Sequence, residues 1–581
     1  MKHLMIFLKK RKGMLAFTLL LITGQVVGTL LIPRLIAEIV DTGILKGDMS
    51  AIYRVGVQML GVSIVTASIS ILGCYYSSEL SLAFGRDMRE AIFRKSQSVS
   101  LEQFEGIGVS SMMTRSTSDI SNLQQTIVMV LQLVVPAPLI IAVCIGMTVQ
   151  INPSLTIIPV ICILVFVVLA AVILKKSQLL SRQIQIRMDR INQVIRESVT
   201  GIRVIRAFNN GAYEKKRSDK AFGEYADHMI RLNRLFAVLN PAVWLVMGFS
   251  MAAIVGAGGM LAAGGSMQLG EITAVTEYTI ITLSYLILAV MSSVTIPKMR
   301  ACLQRLTEVL DMEPGITDVK IETGGITGPV KESSAVEFSH VTFSYPGAEE
   351  PVLRDISFSC KAGETTAIIG STGSGKSTIA NLLLRLHEIN DGEILLDGQN
   401  IKNLPQNMLR TKIGYAPQKA ILFAGTIADN LRMGRETAGE MDMVKALCIS
   451  QADDFVKSLP LGINAPVSQN GSNFSGGQKQ RLAIARAVIK KASVLVFDDS
   501  FSALDFKTDA RLRKALKEHT ADTAKLIIAQ RIQTIADADQ IIVLDEGKIA
   551  GIGSHRQLLN TCEIYRDIAQ SQLSPEEVLV S

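Results

Sequence analysis

Six apolar runs, each close to 20 residues, constrain this chain more than any other feature. They lie near residues 15–40, 56–79, 126–150, 154–174, 235–263 and 274–297. About 20 apolar residues wound as helix span the hydrocarbon core of a bilayer. Lipid offers backbone N–H and C=O groups no partner, so such runs must close their hydrogen bonds internally, as helices. Beyond about residue 310 no comparable run recurs, and short apolar patches alternate with helix-like stretches, the pattern of an α/β domain. The 581-residue chain is 48% hydrophobic and only 19% charged, against about 25% charged in typical soluble domains. Disorder and a wholly soluble chain are both excluded.

The formal net charge of +7 is modest and does not require nucleic acid. Lys and Arg concentrate in alternate segments: Lys9 to Lys12 at the start, Arg86 to Arg115 between the second and third runs, and Lys175 to Arg234 between the fourth and fifth. The other connections, 41–55, Gln150 to Pro153 and the turn near Gly264 and Gly265, carry few basic residues. The positive-inside rule then places both termini and the C-terminal domain on the cytoplasmic side of a plasma membrane. The two basic segments read as helices extending beyond the membrane, with breaks within 101–120 and 201–214, the latter at Asn209-Asn210-Gly211.

Pro33, Pro136, Pro138, Pro159 and Pro241 predict kinks, and Gly248, Ala252 and Gly256 predict a close helix contact in the fifth run. Ionisable residues in the apolar centres are few, so no proton relay is expected. Tyr75, Tyr76, Trp244, Tyr278, Tyr285 and Met291 are candidates for a tolerant apolar pocket. The seven cysteines form no Cys-x-x-Cys pair and predict neither disulfide framework nor metal site.

In the C-terminal domain, Gly370-Ser371-Thr372-Gly373-Ser374-Gly375-Lys376-Ser377 fits G-x-x-x-x-G-K-[ST], with Thr378 next, between a short apolar strand and a helix start. Glycines let backbone N–H groups curl around phosphate oxygens. Lys376 then reaches the terminal phosphates, and the Ser377 hydroxyl suits Mg²⁺. A second buried strand, Val494 to Asp498, ends in a carboxylate where open α/β sheets bind ligands, a second place to hold Mg²⁺.

Residues 473–481 contain Phe474-Ser475-Gly476-Gly477-Gln478, which resembles the signature of ABC ATPases. Other family elements follow: Tyr345, ahead of the first strands, resembles the adenine-stacking aromatic, Gln418 the Q-loop that also touches the metal, and Ser502-Ala503-Leu504-Asp505 the D-loop. Six spans followed by such a domain are similar to a half-size ABC exporter. The resemblance implies a helical membrane domain over 1–310, a linker over 311–334, an α/β P-loop ATPase domain over 335–570 and a tail over 571–581. It also implies ATP and Mg²⁺ as ligands, and a dimer with ATP sandwiched between one chain's phosphate loop and the other's signature. The two segment breaks then correspond to coupling helices, with Phe208 and Tyr213 as docking candidates.

Two catalytic positions depart from that family pattern. Asp499 stands where Glu usually orients the attacking water, and Gln530 stands at the switch histidine; Gln469 also replaces a frequent Glu upstream of the signature. A misplacement of about 1 Å costs on the order of 100-fold in rate, and Gln cannot exchange charge near neutral pH. The chain therefore resembles the degenerate-site subunit of heterodimeric multidrug-type exporters: an ATPase weak at its own site, with an intact signature for a partner half-transporter carrying Glu and His. Membrane lipid and an amphipathic small molecule are the expected contacts, and nucleic acid is not. The alternatives are a homodimeric lipid or peptide exporter and an ATP-gated regulatory subunit that does not transport.

Overall fold

The computed structural model describes residues 2–293, 295–316 and 334–572. Most of the expected linker and tail lies outside the described residues. The chain forms two compact units, Met1–Ser98 with Ile107–Met312, and Val99–Gly106 with Glu313–Ser581.

Among the described residues of the first unit, six helical segments are long and apolar enough to cross a membrane: Lys12–Ile44, Met49–Ser98, Val109–Ile151, Ile157–Thr200, Gly211–Ala263 and Leu269–Asp311. The hydroxyls of Thr148, Thr276, Thr279 and Thr282 donate to carbonyls four residues back, so these four are buried with a partner. The first, third and sixth segments share a core of Val26, Leu30, Ala37, Ile140, Cys144, Ala274 and Tyr278. At their polar ends, Arg305 grips the buried Asp119 through two bonds of 2.8 and 2.6 Å, and Arg115 meets Glu308 at 2.9 Å.

Several local expectations change. The connection expected over 41–55 shrinks to four residues, because a π turn at Ile39–Ile44 extends the first segment and Met49–Ser98 begins early. The Asp48 carboxylate accepts from the Ser50 and Ala51 N–H groups at 2.9 and 3.2 Å, an N-terminal cap. The fourth run opens in a turn held by Asn152, and its helix starts at Ile157. Pro33 is interior to the helix Lys12–Glu38; Pro136 and Pro138 open Pro136–Ile151 after a π turn, and Pro159 and Pro241 sit in the first turns of Ile157–Thr200 and Leu239–Ala263. Side chains added at Gly248 or Gly256 would meet nothing within 4 Å; the close approach is instead at Gly258, where an added Cβ would lie 2.9 Å from Ile272. The basic segments do break, around the short helices Leu101–Ile107 and Ile202–Ala207, at Gly108 (φ 80°) and Asn209 (φ 49°).

The second unit carries β1 (Val336–Phe343), β2 (Leu353–Cys360), β3 (Thr365–Gly370), β4 (Asp391–Leu396), β5 (Gln399–Asn400), β6 (Ile413–Ala416), β7 (Gly425–Thr426), β8 (Pro466–Val467), β9 (Val494–Asp498), β10 (Ala524–Ile528), β11 (Gln540–Asp545) and β12 (Lys548–Gly553). The main sheet has the order β12-β11-β3-β10-β9-β6, parallel except for the β11–β12 pair. A smaller antiparallel sheet, β2-β1-β4-β5, and a β7–β8 pair complete the strands. Every residue of β9 and β10 is buried, the mark of strands covered on both faces. The β9 residue Phe497 is fully buried against Phe501, Leu512 and Ile527. Phe497→Ala should destabilise this unit by about 3–5 kcal/mol, read as lost hydrogen-exchange protection in β9 and β10; unchanged protection would contradict this packing.

Candidate functional site

Parallel register assembles the candidate site. Ile528 of β10 pairs with Ile368 of β3 on one side and Asp498 of β9 on the other. The chain ends of all three strands therefore open on one edge of the sheet, where such sheets bind ligands.

After β3 the loop turns through Gly373 (φ 86°) and Gly375 (φ 95°) into the helix Lys376–Leu383. A side chain at Gly375 is excluded twice over: an added Cβ would lie 2.6 Å from Leu353 and 3.1 Å from the Val352 carbonyl. The Lys376 ammonium donates to the carbonyls of Gly370 and Ser371 at 2.8 and 2.6 Å, and burial lowers its pKa from the ordinary lysine value. The Ser374 hydroxyl is buried without a partner inside the loop, an unmet polar group that an anion's oxygen would satisfy. The Ser377 hydroxyl donates to Asp498 Oδ1 at 2.8 Å. A serine oxygen beside a carboxylate is a hard, all-oxygen donor set of the kind that suits Mg²⁺. Burial, then the neighbouring Asp499 charge, raises the Asp498 pKa, while the Ser377 bond opposes that shift.

Asp499 sits just past the strand with φ 46°, and its N–H donates to the Ile528 carbonyl at 2.9 Å. One carboxylate oxygen, Oδ2, accepts from the Gln418 amide at 3.2 Å and from the Gln530 amide at 2.9 Å. The two departures from the family pattern thus touch each other. Burial raises the Asp499 pKa and the Gln418 bond opposes it. Tyr345 comes after β1, not ahead of the first strands; its hydroxyl lies 3.2 Å from that of Thr378, and its ring packs edge-on against Phe343 and His387.

The signature opens the helix Gly476–Val488. Ser475 and Gln478 form a reciprocal capping box there, with Phe474 buried beneath. Gly477 lies against the D-loop: an added Cβ would be 3.2 Å from the Ala503 carbonyl. Gln469 is exposed in a short turn, Gln469–Gly471. Phe208 and Tyr213 are both exposed. Tyr278 and Tyr285 share one apolar cluster, Tyr76 packs on Phe17, and Trp244 is exposed.

Three participants escape the motif reading. The Tyr415 hydroxyl donates to Asp498 at 3.5 Å. Arg531 donates to the Ser502 and Leu504 carbonyls and stacks over Phe506, tying the D-loop to the loop that bears Gln530. Gln572, at the end of the helix Glu563–Gln572, donates to the Gln530 carbonyl and accepts from the Ile532 N–H, both at 2.8 Å. Only the tyrosine, three residues before Gln418, offered a local signal.

A phosphate loop, a carboxylate-ended strand and a signature helix on one sheet, joined to six membrane-length helices, define a membrane-embedded ATPase. Residues 15–310 match the ABC transporter transmembrane region, and residues 353–502 match the ABC transporter family. The chain belongs to the ABC transporters, as a subunit that spans the membrane repeatedly and couples ATP hydrolysis to transport. It is 36% identical over 570 residues to an uncharacterised ABC transporter ATP-binding protein of Mycobacterium tuberculosis, covering 97% of this chain and 96% of that one. It is 34% identical to the uncharacterised ABC transporter ATP-binding protein YfiB of Bacillus subtilis, over 99% of both. It is 32% identical to an ATP-dependent lipid A-core flippase of Pseudomonas fluorescens, over 88% of this chain and 84% of the relative. A bacterial Atm1-family ABC exporter with ATP bound shares the fold, with a TM-score of 0.79, 24% identity and coverage of 98% and 99%.

Replacing Gln572 by Ala removes both of its bonds to the switch loop, worth about 1 kcal/mol each. Amide exchange at Ile532 should quicken about tenfold or more; unchanged exchange would show that Gln572 does not hold the loop.

Proposed function

We propose that this chain is one half of a heterodimeric exporter of amphipathic compounds, and that its own nucleotide site holds ATP longer than it cleaves it. The observation that carries this reading is the bonding of Asp499. A water-orienting carboxylate needs reach and a free acceptor. Asp is one methylene shorter than Glu, and here its Oδ2 is already engaged by both Gln418 and Gln530.

In this reading Tyr345 stacks on adenine, and residues Gly370 to Thr378 cradle the phosphates. Lys376 leaves the loop carbonyls for the terminal phosphate oxygens, exchanging two neutral acceptors for charged ones. Ser377, Asp498 and Gln418 would hold Mg²⁺, which supplies charge neutralisation at the phosphates when bound. Gln530 donates a hydrogen bond to the γ-phosphate but cannot take a proton near neutral pH. Phe474 to Gln478 complete the partner's site, where the backbone N–H groups of the signature helix meet the phosphates. The linker and tail flank an ATPase domain over 335–570 on the cytoplasmic side, with both termini. Leu101–Ile107 and Ile202–Ala207 act as coupling segments, with Phe208 just after the second and Tyr213 in the first turn of Gly211–Ala237.

Lipid cargo is a second reading, favoured by the relatives named as lipid A-core flippases. Inverted vesicles containing the chain with its partner separate the readings by what moves on ATP addition: an amphipathic dye or a labelled lipid.

Two outcomes test the division of labour. Purified alone in lipid, the chain should turn over ATP at no more than about one-tenth the rate of the two-chain complex; equal rates would reject it. The double substitution Asp499→Glu, Gln530→His should raise hydrolysis by the lone chain about 100-fold, the scale set by carboxylate placement. No gain, with ATP binding intact, would show that something else limits the site.

A further inference from the structure

We propose that the end of the membrane bundle bearing the three short connections contains a binding site for an organic cation. A cavity of about 370 Å³ lies there between the first, third and sixth segments, within the ~300–1,000 Å³ range of small-molecule sites. Its wall includes Arg34, Glu38, Asp41, Met147, Glu271 and Tyr278.

Three carboxylates face one guanidinium, so the lining is net negative. Arg34 and Glu38 are exposed, and among the described residues neither forms an ion pair. Asp41 uses Oδ1 to accept from the Gly270 N–H at 2.7 Å, and Glu271 uses Oε2 to accept from the Gln268 N–H at 2.9 Å. One oxygen of each remains.

Tyr278 gives an independent pointer. It is 1% exposed, it lines the cavity, and its hydroxyl is buried with no partner among the described residues. Buried hydroxyls are as a rule hydrogen-bonded, so this one offers a hydrogen bond to a molecule that enters the cavity. The backbone is also specialised here. The π turn Ile39–Ile44 carries Asp41, and π turns concentrate at functional sites. Gly270 allows the approach, since an added Cβ would collide with the Ala37 carbonyl and Asp41.

The ligand class follows from the lining. Three acids against one base reject an anion. No group of three His, Cys, Asp or Glu residues among those described is placed to hold a metal ion. An ammonium with an apolar body fits better: the carboxylates take the charge, while the Tyr278 ring and the Met147 thioether suit the body. The cation's role as cargo on its path rests on the transport reading above, whereas its binding does not.

The test is equilibrium binding of radiolabelled N,N-dimethylbenzylammonium, whose one N–H can donate to the Tyr278 hydroxyl, to the full chain in lipid nanodiscs, without nucleotide. Saturable binding is expected, and the uncharged isostere isobutylbenzene should not compete. Glu38→Gln with Glu271→Gln should weaken binding about tenfold or more, and Arg34→Gln should tighten it about threefold. A misfolded variant cannot bind more tightly, so the opposite signs separate recognition from damage. No saturable binding, equal competition by the isostere, unchanged affinity in the double variant, or unchanged or weaker affinity in Arg34→Gln would overturn the site. Because no ATP is present, failure here leaves the hydrolysis reading intact, and failure of that reading leaves this binding intact.

Discussion

The parallel pairing of β3, β10 and β9 is the constraint from which the nucleotide site follows. Two ladders put Ile368, Ile528 and Asp498 side by side. Each strand then releases its chain at the same edge: β3 into the phosphate loop, β9 into Asp499, β10 into Gln530. The strands are buried on both faces and cannot slip by one residue without turning Asp498 away from Ser377. The site's precision is therefore inherited from the hydrophobic core and not from the polar residues themselves.

Within that frame, opposing effects act on Asp499. Burial disfavours its charge, while the Gln418 bond and the Lys376 and Arg531 charges favour it; burial wins. A raised carboxylate pKa alone would suit a general base. In the proposed reading geometry outweighs this: the carboxylate is short, and one of its oxygens is shared by two amides. The parts that grip phosphate, by contrast, are complete. On that proposal, binding strength and cleavage rate depend on different atoms, and only the second set is altered.

Much of this was legible in sequence because it is local. Span-length apolar runs, the glycine-lysine loop and the buried strand ending in Asp498 each declare themselves within a few residues. What was not legible depends on neighbours far along the chain. Gln572 reaches a loop 42 residues earlier, and nothing in its own segment signals that. The small-residue stripe at Gly248 and Gly256 has helical spacing, yet the close contact falls at Gly258, because which face meets the sixth segment is set by the packing of Ile254, Ile272 and Val275. Asp48 is the instructive middle case: an Asp-x-Ser start signal was present, but the apolar run nearby drew the boundary later than the cap does.

The central claim concerns what the site contains after ATP has been offered. The most direct measurement is the chemical identity of nucleotide retained by this chain in the two-chain complex, after incubation with labelled ATP and rapid removal of free ligand through several turnovers. Retention as intact ATP is the predicted result. Retention mainly as ADP, at the rate of the partner's site, would contradict the account.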